Sequence, residues 1–181
     1  MPRADRASTR RQLLAAGLNL AQQRPLASLR IDDLVQAAGV AKGTFYLHFK
    51  DRAEYLVTLH SNLHDEVMRN VQHAVAGQAP SLERLLLGSF AYLDACRRGH
   101  PVKALLMEAR VEPAIQMEVQ TQNARFAQRA EREFAAARWP ESRQAARLWV
   151  GMMVEAALAE AEANAPLPEI RSNLRRFLNF A

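Results

Sequence analysis

An all-α fold is what this sequence predicts, with about nine helices and no sheet. Three observations lead there. Apolar residues recur at spacings of three and four along most of the chain. No segment keeps the period-two alternation of a half-buried strand. Stops built on Pro or Gly separate the periodic stretches, at Pro25, Gly39, Pro80, Gly99 to Pro101 and Pro140.

Residues 1–8 read as a basic, loosely ordered arm. Thr9 and Gln12 have capping-box spacing, and Leu13, Leu14, Leu18 and Ala21 give the stripe of a first helix that Pro25 ends. Arg10 and Arg11 then fall in its first turn, the unfavourable end of the helix dipole for a cation. Ile31, Leu34, Val35 and Ala38 mark a second helix, with Asp32 and Asp33 in its first turn. Gly39 is its natural left-handed terminator. Val40 returns to the core. Ala41, Lys42, Gly43 and Thr44 begin a short third helix with Phe45 and Phe49 on its buried side.

Asp51 is a good N-cap for a long fourth helix over 52–76, with the stripe Leu56, Leu59, Leu63, Val67 and Val71. Gly77 and Pro80 close it. Ser81 opens a fifth helix carrying Leu82, Leu85, Leu86, Phe90, Leu93 and Cys96. Gly99, His100 and Pro101 stop it, and a short helix is expected from Val102 to Arg110. Pro113 restarts a helix with Ile115, Val119, Phe126, Ala130 and Phe134 on one face. After Trp139 and Pro140, a helix runs from Glu141 to Asn164. Pro166 and Pro168 precede a last one with Ile170, Leu174, Phe177 and Leu178.

Of the 181 residues 49% are hydrophobic and only 7% aromatic, which suits an Ala- and Leu-rich helical protein. No apolar run is long enough to span a membrane. The polar, basic N-terminus has no apolar segment behind it, which argues against a secretory signal. The single Cys, Cys96, excludes an intrachain disulfide and fits a reducing cytoplasm. The net charge of +5 is uneven. Nine Lys or Arg face five Asp or Glu within residues 1–60, whereas fifteen cations and fourteen anions nearly cancel beyond. The excess therefore accompanies the first three helices, as phosphate neutralisation requires.

Residues 31–49 have the layout of a helix-turn-helix whose second helix enters a DNA major groove. Lys42 reaches toward a phosphate or a guanine edge, and Thr44, Tyr46 and His48 offer donors to phosphate oxygens. Gly43 lets the backbone come close, while Lys50 and Arg52 add charge beyond. A solvated polar face on an ordinary helical hairpin is the bland alternative. In that case the chain is a ligand-binding or interaction module without DNA binding. Salt-dependent selection among DNA fragments separates the two.

The run AAGVAKGTFYLHFKDRAEYL, preceded by TRRQLLAAGLNLAQQ, resembles the N-terminal signature of TetR-type transcriptional regulators. The resemblance covers about the first third of the chain; the remainder matches only in length and helical character. It implies a helix-turn-helix DNA-binding domain at 1–55 and an effector-binding and dimerisation domain at 56–181. It also implies a cytoplasmic homodimer on a palindromic operator, a repressor released by a small molecule as its fourth helices swing. The DNA contacts it implies are Lys42, Gly43, Thr44, Tyr46, His48, Lys50 and Arg52. There are departures. The family's usual Gly near Pro25 is absent, and its Ser is Ala41 here. Arg30 stands where a capping Thr or Ser is common, so the cap weakens or moves to Ser28, and Arg30 is free to meet a phosphate.

Phe90, Leu93, Cys96, Leu106, Met107, Phe126 and Trp149 are candidates for an apolar effector pocket, with Arg110 as its polar anchor for an anionic or carbonyl-bearing ligand. Any helical core has the same composition, and Glu108 and Glu112 are equally good partners for Arg110. The small and adaptable residues of 141–164, with the last helix, suit a four-helix bundle between two protomers. His60 and His64 have the spacing of a helical metal pair, but Asp65, His73 and His100 complete no recognised set, so no metal and no cofactor is expected. Cys96 reads as a buried, inert thiol. No phosphate loop, nucleophile elbow or carboxylate–His arrangement points to an enzyme.

Overall fold

A computed structural model of the chain describes residues 3–23, 28–98 and 113–179. Among these residues there are eight helices and no strand: α1 (Arg3–Ala21), α2 (Ile31–Ala38), α3 (Lys42–Tyr46), α4 (Arg52–Ala74), α5 (Leu82–Arg98), α6 (Pro113–Ala136), α7 (Ser142–Ala163) and α8 (Pro168–Asn179). The stop at Gly99 to Pro101, the short helix expected over 102–110 and the break at Pro25 lie outside the described residues. No described helix is long and apolar enough to cross a membrane.

The chain packs as two units. The first holds α1–α3, α4 to Leu63 and the start of α6 through Glu118; the second holds α4 from His64, α5, the rest of α6, α7 and α8.

In the first unit α1 packs on α2, and α2 on α3. Leu13, Leu29, Leu34, Phe45, Phe49, Tyr55, Leu56 and Leu59 are almost wholly removed from solvent. Three rings form the centre: Phe45 to Phe49 at 5.4 Å, Phe45 to Tyr55 at 5.6 Å, and Phe49 edge-on to Tyr55 at 5.0 Å. The Tyr55 hydroxyl donates to the Leu13 carbonyl at 2.9 Å, which settles the polar tip of an otherwise buried ring. Gly17 makes room for it. A Cβ at Gly17 would stand 1.9 Å from the Tyr55 hydroxyl oxygen.

The start of α1 corrects the expectation of an arm at 1–8. The helix begins at Arg3, so Arg10 and Arg11 lie near its middle and Thr9 is a buried interior residue, not a cap. Ala4, Arg6 and Ala7 are good helix formers, so nothing local breaks the helix before Thr9.

In the second unit α5 packs on α7 and α8. Leu93, Ala146, Trp149, Met153, Ala156, Ala157, Leu174 and Leu178 are buried there. Two polar clusters sit within this core. Glu133 accepts the Ser81 N–H that opens α5, at 2.7 Å, and also pairs with Arg84. Glu160, with its side chain 1% exposed, holds Arg171 of α8 and accepts the Leu167 N–H at 3.1 Å.

Candidate nucleic-acid interface and ligand cavities

The turn between α2 and α3 is a Schellman closure. Gly39 sits at φ 67°, ψ 31°; its N–H donates to the Gln36 carbonyl at 3.1 Å and the Val40 N–H to the Val35 carbonyl at 3.0 Å. These bonds satisfy the end of α2 and set the direction in which α3 leaves. At the other end of α2, Arg30 is the N-cap residue without a side-chain cap bond. Asp33 reaches back instead, its carboxylate accepting the Arg30 N–H at 2.9 Å. Arg30 thus remains the N-cap residue, without a side-chain cap bond as the expected weakening implies, and its side chain stays exposed.

Helix α3 is one and a half turns long. Phe45 anchors it, with 0% exposure. Its other side presents the expected residues. Gly43 is exposed and a Cβ there would meet nothing within 4 Å, so no packing inside the protein calls for glycine. Tyr46 is 51% exposed, its ring edge-on to Phe45 at 5.5 Å. Thr44 and His48 are half-buried, and Lys50 is exposed. Lys42 lies on the same surface, its Nζ 2.7 Å from Asp32 Oδ1. That carboxylate, by hydrogen bond first and charge second, raises the Lys42 pKa.

Arg52 is placed differently. It is half-buried, and its Nε donates to the Leu29 carbonyl at 2.9 Å, tying the start of α4 to the segment that leads into α2. The start of α4 is closed by Asp51, which accepts the Glu54 N–H at 2.8 Å, while Glu54 accepts the Lys50 N–H at 2.7 Å.

Three residues join this surface that sequence reasoning did not name as contacts. Leu47 is 61% exposed beside Tyr46. Its signal was available, because it stands off the Phe45–Phe49 side of the helix. Arg6 donates to the Leu47 carbonyl at 2.9 Å, and the Arg10 guanidinium lies 5.0 Å from the centre of the Phe49 ring. Both approaches join residues about forty positions apart, which no local pattern reports. The two arginines also act on His48. Burial first, then the Arg6 and Arg10 charges, lower its pKa below the usual imidazole value.

The second unit contains an apolar cavity of about 150 Å³. Of the pocket candidates Phe126 and Trp149 line it, joined by Met68, Leu85, Tyr92 and Met153. The Trp149 indole donates to the Ser89 hydroxyl at 3.1 Å, fixing the ring in the wall. Leu93 and Cys96 are buried outside its lining, and Phe90 lies under the guanidinium groups of Arg175 and Arg171, at 4.9 and 5.5 Å. Leu106, Met107 and Arg110 lie outside the described residues. Burial pushes the Cys96 thiol up to about 12, so it is an un-ionised, unreactive group. A second, polar cavity of about 250 Å³ adjoins the first between α4 and α6. His64 lines it, edge-on to Phe126 at 5.3 Å. No group of three metal-capable side chains forms among the described residues.

Comparison with known proteins fits this geometry. Residues 13–57 match the family model described as bacterial regulatory proteins, tetR family. The HTH-type transcriptional regulator EthR of Mycobacterium tuberculosis is 43% identical over 47 residues, 26% of this chain and 22% of that protein. The chain thus matches only about a fifth of the length of the curated relatives it resembles. Over nearly the whole chain the likeness is one of fold. A putative TetR-family regulator from Rhodococcus sp. superposes with TM-score 0.80 at 18% identity, covering 95% of this chain and 97% of its own. NemR of E. coli does so with TM-score 0.72 at 18% identity, covering 93% and 96%.

Proposed function

We propose, for a chain whose residues 13–57 belong to the tetR family of bacterial regulatory proteins, a homodimeric regulator that binds a palindromic DNA operator and leaves it when a small effector binds. The observation that carries the reading is Gly43. A glycine inside a helix costs about 1 kcal/mol against alanine, and here no neighbour within the protein requires it. A surface that must come within backbone distance of another molecule does require it. Around it stand Lys42, Thr44, Tyr46, His48 and Lys50 as hydrogen-bond and charge donors. Leu47 is an apolar group suited to a thymine methyl, and Arg30 lies at the edge of the same unit. Arg52 acts by holding the α2–α3 unit in position rather than as a free phosphate clamp.

Dimerisation is supported by α7 and α8. Leu148 is 71% exposed and Phe177 55%, and a Cβ on exposed Gly151 would meet nothing within 4 Å. Leu148, Gly151 and Glu155 share one face of α7, where a second helix finds an apolar side chain and a place of close approach. Two-fold pairing sets two α3 helices at half-sites about 34 Å apart, one turn of B-DNA. Repression follows if the operator overlaps a promoter. The cavity of the second unit is the place where an effector would favour a state in which the two α3 helices no longer match successive grooves. The protein works in the cytoplasm, with the DNA.

The test is selection of bound sequences from random duplex DNA, followed by gel-shift of the selected site. A palindrome with half-sites one turn apart is the expected product. Tyr46→Ala should lose retention while the dimer persists in sizing chromatography. Recovery of random sequence alone would refute the operator reading.

A further inference from the structure

We propose that the two adjoining cavities of the second unit form one site for an amphipathic anion, an apolar body of about six to ten carbons ending in a carboxylate. This rests on the reading of that unit as the effector-binding part. The two cavities share Met68, Gln72, Phe126 and Arg129 in their linings, so one ligand reaches both. An apolar void of 150 Å³ is about what a benzene-sized group fills. With the 250 Å³ of the polar cavity, the pair falls in the range of small-molecule sites, about 300–1,000 Å³.

The charges divide the site into a tail end and a head end. In the wall of the apolar cavity the Arg84 guanidinium is taken up by Glu133, so the only uncompensated charge among the described residues of that lining is Arg129, at the side shared with the polar cavity. The polar cavity gathers Arg69 from α4 and Arg125 and Arg129 from α6, against one carboxylate, Asp65. Arg125 and Arg129 are four apart on one helix, a spacing at which like charges repel. None of the three guanidinium groups makes an ion pair or hydrogen bond among the described residues. All three are exposed at the mouth, where they meet an arriving anion without deep desolvation. A carboxylate suits them because the planar guanidinium binds it through two parallel N–H donors. Phe126 lies at the junction, in both linings, where the tail leaves the head group.

The probes are octanoate, octan-1-ol, acetate and octyl phosphate, titrated calorimetrically into the purified chain without DNA. Octanoate should bind at least tenfold tighter than octan-1-ol, and acetate should not bind measurably. Rising salt should weaken octanoate and leave octan-1-ol unchanged. Octyl phosphate distinguishes the head group: weaker binding than octanoate is expected, and stronger binding overturns the carboxylate assignment. The double variant R125Q/R129Q should lower octanoate to the level of octan-1-ol without changing octan-1-ol. Arg69→Gln, on the other helix, should weaken octanoate several-fold, so the result does not depend on one variant folding. Equal binding of octanoate and octan-1-ol, no binding of either, or octanoate binding that survives in both variants overturns the proposal. The effector reading is tested apart from it, by operator release in a gel-shift. A neutral compound that releases the operator from R125Q/R129Q would sustain that reading, whatever octanoate does.

Discussion

The Arg171 guanidinium lies flat against the Glu160 carboxylate, Nε to Oε1 and a terminal nitrogen to Oε2, each at 2.7 Å. The same terminal nitrogen reaches Asp94 Oδ1 at 2.7 Å, so one side chain of α8 ties α5 to α7. The Glu160 hydrogen bonds raise the Arg171 pKa further above an already high value. Arg171→Ala leaves Glu160 buried without its counter-charge, and the expected loss is about 3–5 kcal/mol. Thermal or urea unfolding measures it. Arg175→Ala, which removes only a guanidinium over Phe90, should cost less than about 1 kcal/mol. Equal losses would show that the carboxylates contribute nothing.

Gly43→Ala separates folding from binding. Without a contact to disturb, the added methyl should stabilise the protein by about 0.5–1 kcal/mol through helix propensity. Operator affinity should fall at least tenfold. A variant that is more stable and binds equally well would remove the close-approach role of this position.

Gly17→Ala should act in the opposite sense on stability. The new Cβ meets the Tyr55 hydroxyl and drives it from the Leu13 carbonyl, an overpacking that costs about 1–3 kcal/mol. Tyr55→Phe loses only the hydrogen bond, about 1 kcal/mol. The double variant should recover part of the loss, because the clashing oxygen is gone. Urea midpoints of the four proteins form the cycle that measures it.

His48 sets a pH dependence. Its folded pKa is below the unfolded value near 6.5, so the unfolded chain takes up the proton first. The stability tied to its neutral form is present above pH 6.5 and is lost as pH falls through the lower, folded pKa. His48→Gln should flatten the fall in stability between pH 7 and 5. On DNA the sign reverses. Phosphates favour the imidazolium, so operator affinity of the parent protein should rise as pH drops from 7.5 to 6, and that of His48→Gln should rise less. Gel-shift at fixed ionic strength checks both.

A charge placed on the exposed face of α7 or α8 should split the proposed dimer. Leu148→Glu and Phe177→Glu are each expected to weaken pairing, and together to give a monomer by light scattering at micromolar concentration. The monomer should keep its helix content and lose operator retention, because a single half-site contact is too weak to survive a gel. A dimer that persists in the double variant would move the interface elsewhere.

The parts of this molecule that were legible in its sequence are those governed by near neighbours. Ile31, Leu34, Val35 and Ala38 at helical spacing, followed by Gly39, describe α2 and its turn, because the Schellman bonds span only the six residues 35–40. Asp51 marks the start of α4 for the same reason. What was hidden depends on partners far along the chain. Nothing near Gly17 announces Tyr55, and nothing near Arg52 announces the Leu29 carbonyl. Arg84 and Glu133 are forty-nine positions apart, so their pairing in the cavity wall has no local trace. The start of α1 was misplaced by a real signal with a stronger competitor. Thr9 and Gln12 do have cap spacing, but the residues before them favour helix as well.

On the proposed DNA-binding reading the Lys42–Asp32 pair has one more consequence, for how the protein would meet the wrong DNA. The pair already neutralises the cation best placed for the groove, so while it holds, Lys42 neutralises no phosphate and sets free none of the cations condensed on a duplex. A passing stretch of chromosome must displace Asp32 and then endure its uncovered charge beside the phosphates. Only a site that offers Tyr46, Thr44 and Leu47 their own partners compensates for that exchange. The affinity for bulk DNA should therefore fall less steeply with ionic strength than the basic composition suggests, and the margin between operator and background should widen.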